Sequence, residues 1–213
     1  MLHLRPTGLL LPPGVAVAQA LAPDPAVLSA DECVQHDAFA SADRRHAFVL
    51  GRTAARHLLA EATGAAAAHI ELTVGDDGAP RTPGRAVSIA HTGRGADLVA
   101  VAAVARRPVG IDVERVGPRR ADLWQRLLTP GEHAVLDRLG GPTDSVQTLL
   151  WALKESVLKG QRTGFRAGAR SVVLALAETP GSARAVSDVS GAWEIAYAPL
   201  GTAWLAVAWQ DRP

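Results

Sequence analysis

Twice along its 213 residues the chain runs through the same order of segments, strand, helix and three strands, and this duplication constrains the fold more than any other feature. In the first pass, GVAVAQA (14–20) alternates apolar side chains as a strand does. The stretch 41–64 has helical spacing, with Phe48, Gly51, Ala55, Leu58, Leu59 and Ala62 on one stripe, Ser41 or Asp43 as cap and Gly64 as stop. IELTV (70–74), AVSIAH (86–91) and DLVAVAAVA (97–105) follow as strands around a turn-rich 76–85. VGIDVERV (109–116) opens the second pass and leads to a helical region around ADLWQRLL. In TPGEHAVLDRLG, Thr129 reads as an N-cap, Pro130 as the first helical residue and Glu132 as the far half of a capping box. Residues 145–160 form a strong helical pattern, with Val146, Leu149, Leu150, Leu153 and Val157 on one face. Strands 171–177, 193–200 and 203–209 close the chain. The order repeats although the residues do not, and Arg106–Arg107–Pro108 separates the halves. The expected fold is α+β, two similar lobes (1–107 and 108–213) related by a pseudo-twofold, with a site in the cleft between them.

Composition removes several classes of function. A hydrophobic content of 48% with 20% charged residues fits a folded globular chain. A net charge of +1 gives no global field toward nucleic acid or membranes, so neither is an expected partner, and an anion site must come from local clustering. Cys33 is the only cysteine, which excludes an intramolecular disulfide and argues against cysteine-based metal binding. The start ends in an AQA-like segment, but Pro12 and Pro13 interrupt a short apolar run, so a signal peptide is not expected. No run reaches the roughly 18–20 apolar residues of a membrane span, and the expected location is the cytoplasm.

The pentapeptide GIDVE (110–114) poses a chemical question. Ile111 and Val113 share one strand face, which puts Asp112 and Glu114 together on the other. Two like charges so placed repel unless something positive lies between them. Either the face is solvated or a cation offsets it. In WALKESVLK (151–159), Trp151, Glu155 and Lys159 recur at i, i+4 and i+8 along one side of the helix. Glu155 and Lys159 could be an ordinary helical pair worth a few tenths of a kcal/mol, about 0.2–0.5. Combined with Asp112 and Glu114, Glu155 could instead complete a hard-cation site; magnesium suits carboxylate oxygens, with substrate phosphate filling its shell. Arg45, Arg52 and Arg56 form a basic stripe with Arg44 and His46 at its start, either a solvated face or a phosphate anchor. His91 ends an apolar strand before the loop Thr92–Gly95, where it is either structural or a ligand contact.

GIDVE followed some forty residues on by WALKESVLK, and preceded by SIAHTGR (88–94), resembles the 4′-phosphopantetheinyl transferases. The resemblance is to the longer, two-lobed type that activates peptide, polyketide and fatty-acid synthases, and with RRHAFVLGR it spans roughly residues 41–165. It implies Asp112 and Glu114 as ligands of Mg2+ (or Mn2+), with Glu155 as third ligand or base, and Lys159 near the pyrophosphate of the substrate coenzyme A. His91 would contact the coenzyme's phosphates, and Arg44, Arg45, His46 and Arg52 would neighbour its 3′-phosphate. Gly78, Pro80 and Arg81 match a Gly-Lys-Pro element at the adenine nucleotide. Two residues depart from the pattern: Ala79 stands where many relatives carry lysine, and Ala90 where Ser-x-Ser-His relatives carry a second serine.

The implied reaction moves the phosphopantetheine arm onto a serine of an acyl, peptidyl or aryl carrier protein, with Glu155, Lys159 and His91 as the catalytic set. Leu123, Trp124, Leu127 and Leu128 are either a docking patch for the carrier or core. Because one chain would hold a complete cleft, a monomer is expected. Two alternatives stay open at this point: another magnesium-dependent phosphoryl-transfer or hydrolysis enzyme, and a coenzyme A- or nucleotide-binding module with a dead site.

Overall fold

A computed structural model describes residues 3–118, 124, 127–163, 168–176 and 179–211. In chain order the first half comprises β1 (His3–Leu4), β2 (Ala16–Ala20), α1 (Ala30–Ala38), α2 (Ala42–Thr63), β3 (Thr73–Val74), β4 (Pro80–Arg81), β5 (Ala86–Thr92) and β6 (Val99–Ala105). The second half comprises β7 (Val109–Arg115), α3 (Pro130–Arg138), α4 (Asp144–Gly160), β8 (Val172–Leu176), β9 (Ser182–Ser187), β10 (Gly191–Leu200) and β11 (Ala203–Trp209). The chain is α+β with two sheets of like connectivity. One has the order β1-β2-β6-β5 and the other β7-β11-β10-β9-β8. In both, the lobe's first long strand (β2 or β7) pairs with its last, and the last with the long strand before it, all antiparallel.

Both sheets bury apolar residues on each face, although the β8–β9 end of the second leaves Val173 and Val186 exposed. Ala18, Ala20, Ala100, Ala102 and Val104 pack under Leu50, Ala54, Ala55, Leu58 and Leu59 of α2. Ala206, Ala208, Trp193 and Ile195 pack under Leu149, Leu150, Leu153 and Val157 of α4. The opposite faces meet each other: Val17, Val101, Ala103 and Ala105 join Ile111, Val113, Leu205 and Val207 in a third core between the lobes. Edge strands β5 and β7 run alongside one another there. The Ile111 N–H donates to Ser88 Oγ at 3.2 Å and the Arg115 N–H to Thr92 Oγ1 at 3.2 Å.

Local chemistry explains most boundaries. Ser41 caps α2 and Gly64, at φ 78°, stops it. Thr143 caps α4 through the Val146 N–H. Glu132 reaches back to the Thr129 N–H at 2.7 Å, as a capping box requires.

The structure corrects several expectations. The strand expected over 70–74 is reduced to Thr73–Val74, which pairs with Pro80–Arg81, while Ile70 and Leu72 turn into the first lobe's core. Helix α1 forms between the expected first strand and the long helix, where no apolar stripe marks it and its only buried residue is Glu32. Strand β9 also went unread. Trp124, Leu127 and Leu128 are 8%, 3% and 1% exposed within the second lobe's core, so they form no docking patch; Leu123 lies outside the described residues. Among the described residues no helix is long and apolar enough to cross a membrane.

Candidate active site

A glycine contact sets the site's depth. A Cβ at Gly110 would collide with the Ser156 carbonyl and the Gly160 amide, and one at Gly160 would stand 2.6 Å from the Trp193 ring. The two glycines let β7 and the C-terminal half of α4 approach backbone to backbone. Strand alternation then turns Gly110, Asp112 and Glu114 toward α4, and helical spacing turns Trp151, Glu155 and Lys159 toward β7.

The groups meet in specific pairs. Lys159 Nζ donates to Asp112 Oδ1 at 2.5 Å, and Trp151 Nε1 donates to Glu114 Oε1 at 3.1 Å. The Lys159 ammonium therefore pairs across to the strand acid and partly offsets the repulsion within GIDVE. Asp112 is 3% exposed and Glu155 is 8% exposed. Asp112 Oδ2 and Glu155 Oε1 are buried without a hydrogen-bond partner. Such atoms are costly to leave unmatched, and they stand open to a ligand.

Burial raises the Glu155 pKa to about 7; Lys159 opposes this, and Asp112 and Glu114 add to it. Burial also raises the Asp112 carboxyl above the ordinary range, against the pull of Lys159. His91, at the end of β5, is lowered by desolvation and by the nearby Lys159 and Arg44 cations, with Glu114 opposing. Asp112, Glu114, Glu155, Lys159 and His91 thus lie within one electrostatic neighbourhood. Among the described residues, no three His, Cys, Asp or Glu side chains form a ready-made metal cage. The two orphaned carboxylate oxygens are what an incoming cation could take up.

Next to these groups lies a cavity of about 220 Å³ lined by residues that include Asp77, Gly78, Ala79, Pro80, Lys159 and Arg162. It brings the Gly78–Pro80 turn of the first lobe onto the end of α4 in the second. Arg81 is exposed and pairs with Asp77 at 3.0 Å.

The basic stripe of α2 divides. Arg44 and His46 are exposed, Arg45 is half-buried, Arg44 lies over the Phe39 ring at 4.6 Å, and Arg45 bonds the Phe39 carbonyl. Arg52 and Arg56 are instead buried and paired with Glu32 of α1 at 2.9 and 2.6 Å. Arg56 also donates to the Ala67 and Ile70 carbonyls. The expected basic stripe therefore ends after its first turn, because Arg52 and Arg56 are drawn inward by an acid on α1.

Two residues of the neighbourhood carried no clear sequence signal. Lys154 is 1% exposed and donates to Glu132 at 2.8 Å and to the Leu127, Ala169 and Val172 carbonyls, which anchors α4. Arg162 has φ 61°, the only positive φ of a non-glycine residue among those described, at a cost of about 1–2 kcal/mol.

Known proteins resemble this chain over most of its length. Residues 33–105 match the family model "4′-phosphopantetheinyl transferase N-terminal domain", and residues 108–207 match "4′-phosphopantetheinyl transferase superfamily". A Bacillus subtilis "4′-phosphopantetheinyl transferase" is 30% identical over 145 residues, 66% of this chain and 62% of that relative. The "Enterobactin synthase component D" of Escherichia coli O157:H7 and that of Shigella flexneri are each 32% identical over 83 residues, 38% of this chain and 38% of theirs. The aligned stretches thus cover less than two thirds of the length of each of these relatives.

Proposed function

The chain belongs to the 4′-phosphopantetheinyl transferase superfamily, and from that premise we propose that it transfers the 4′-phosphopantetheine arm of coenzyme A to a serine of a carrier protein. The observation that carries this reading is the convergence of Asp112, Glu114, Glu155 and Lys159 beside the Gly78–Pro80 cavity.

In the proposed reaction the serine oxygen bonds to the phosphorus that bears the pantetheine arm. The bond from that phosphorus to the oxygen of the adenosine-side phosphate breaks, and adenosine 3′,5′-bisphosphate leaves. Both reactants approach as oxygen-rich groups, so positioning and charge neutralisation supply most of the acceleration. Mg2+, or Mn2+, held by Asp112, Glu114 and Glu155 would neutralise pyrophosphate charge, and the unpartnered Asp112 Oδ2 and Glu155 Oε1 support that assignment. Glu155 would also accept the serine proton, directly or through water. Lys159, released from Asp112, would hold charge on the departing bisphosphate. His91, kept neutral near pH 7, and Arg44, Arg45 and His46 would bind phosphate oxygens at the same end of the cleft. Gly78, Pro80 and Arg81 would face the nucleotide. Because one chain supplies all of these groups, the reading favours a monomer.

The test is the mass of an apo-carrier protein after incubation with this chain, coenzyme A and magnesium. A gain of one phosphopantetheine arm is expected. Coenzyme A hydrolysis with an unmodified carrier would identify a different phosphoryl-transfer enzyme, and binding without any turnover would identify a dead site.

A further inference from the structure

The two long helices end through the same backbone conformation but on different residues. Helix α2 stops at Gly64, φ 78°, the residue type that takes up a left-handed conformation without strain. Beyond α4 the chain passes through that conformation at Arg162, φ 61°, whose N–H donates to the Lys159 carbonyl at 3.2 Å. A glycine at this place would close the helix equally well, whereas an arginine is strained there. Capping gives no reason for the arginine. Its side chain does.

That side chain crosses the cleft between the lobes. Arg162 Nη2 donates to the Pro80 carbonyl at 3.5 Å, a long bond, and the same cation acts on Asp77. The Asp77 carboxyl is held below its ordinary range by the Ala79 N–H, against the effect of burial, and then by the Arg81 and Arg162 cations. Asp77, Pro80 and Arg162 all line the cavity beside Lys159. Lys159 itself turns to Asp112, so one helix end sends a cation to the strand acid and another to the turn.

The turn it reaches needs an outside hold. Strands β3 and β4 form a two-stranded sheet apart from the four-stranded sheet of their lobe, pairing Thr73 with Arg81 and Val74 with Pro80. A ribbon of that size is marginal in water. Within it the Gly75 N–H donates to the Ala79 carbonyl at 2.9 Å and Arg81 to Asp77 at 3.0 Å, and the buried Ile70 and Leu72 anchor its base. Those contacts shape the turn but do not set its distance from α4.

We infer that Arg162 is a positioning residue: acting through Pro80 and Asp77, it clasps the β3–β4 turn across the cleft and keeps the cavity formed for coenzyme A, a ligand that rests on the transferase reading above. A guanidinium fork can serve a carbonyl and a carboxylate at once, which an ammonium at the same place does less well. The strained backbone is retained for that reach, and strain of this kind gathers at ligand sites.

The test is Arg162→Gly in the full chain, with Arg162→Lys as the conservative variant, assayed with magnesium, coenzyme A and an apo-carrier protein. Arg162→Gly should melt within about 2 °C of the wild type, because glycine relieves the strain as the clasp is lost. Its KM for coenzyme A should nevertheless rise about tenfold, with kcat within about twofold. Arg162→Lys, which keeps the charge but not the fork, should fall between the two. Hydrogen exchange at the amides of residues 73–81 should quicken in Arg162→Gly. An unchanged KM, unchanged exchange, or a fall in kcat as large as that in kcat/KM overturns the assignment. A melting temperature lowered by many degrees also overturns it, since Arg162 would then support the fold at large. Should the wild type transfer nothing, the transferase reading fails separately and exchange decides the clasp: faster exchange in Arg162→Gly sustains it, and equal exchange overturns it.

Discussion

The two lobes are held by the same device, yet only one carries acids on its opening strand. In the first lobe Glu32, three residues after the cap Ser29, pairs with Arg56 of α2, and Arg56 gathers the Ala67 and Ile70 carbonyls. In the second, Glu132, three residues after the cap Thr129, pairs with Lys154 of α4, and Lys154 gathers the Leu127, Ala169 and Val172 carbonyls. A capping-box glutamate thus serves twice in each lobe, locally at its own helix start and distantly toward a buried cation. The lobes differ in the residues next to that pair. The residue after Arg56 is His57, whereas the residue after Lys154 is Glu155. Strand β2 turns Ala18 and Ala20 toward α2, whereas β7 turns Asp112 and Glu114 toward α4. The comparison teaches that the ion pair fixes a long helix on its sheet, and that chemistry is added by changing the residues beside it.

The strongest challenge to this parallel is removal of each cation. Lys154→Met should lose about 3–5 kcal/mol, because it leaves the buried Glu132 without its cation, and Arg56→Met should lose less, because Arg52 still pairs with Glu32. Urea unfolding measures this, and a loss confined to one lobe would break the parallel. For the difference between the lobes, Asp112→Ala should lower carrier modification by about 100-fold, equivalent to about 2.7 kcal/mol, with the fold retained by circular dichroism. Full activity would remove β7 from the site. Gly110→Ala should cost about 2 kcal/mol, since the new methyl meets helix backbone that cannot step aside. A neutral result by thermal denaturation would show that α4 does not lie so close.

The smallest expected effect concerns pH. In metal-free protein, Glu155 keeps its proton up to about pH 7, while the unfolded chain releases it near 4.5. The folded state therefore binds more protons within that window, and stability falls as pH rises through it, by at most about 1.4 kcal/mol per pH unit, and levels off above. Glu155→Gln should flatten that slope. A slope that persists in the variant would assign it to another group.

Local periodicity and capping chemistry made much of this molecule legible. The sharing of one strand face by Asp112 and Glu114, and of one helix side by Trp151, Glu155 and Lys159, follows from the repeats of strand and helix, and the structure places them as those repeats require. Thr129–Glu132 and Gly64 announce helix ends because they satisfy backbone groups within a few residues. Helix α1 and strand β9 were missed for the converse reason: one buries only Glu32, and the other, SARAVS, is built of small and polar residues.

By itself the sequence determined the α+β duplication, the two carboxylate motifs and their resemblance to a transferase family. Which cation meets which acid was decided only by tertiary structure. Arg52 and Arg56 turned inward to Glu32, and Lys159 reached Asp112 rather than forming an ordinary pair with Glu155. Trp124, Leu127 and Leu128 were absorbed into the core, and Arg162 was brought from the end of α4 to the Gly78–Pro80 turn. The physical reason is range: repeats and caps act over a few residues, whereas a charge or an apolar face finds its partner only when distant segments are packed together.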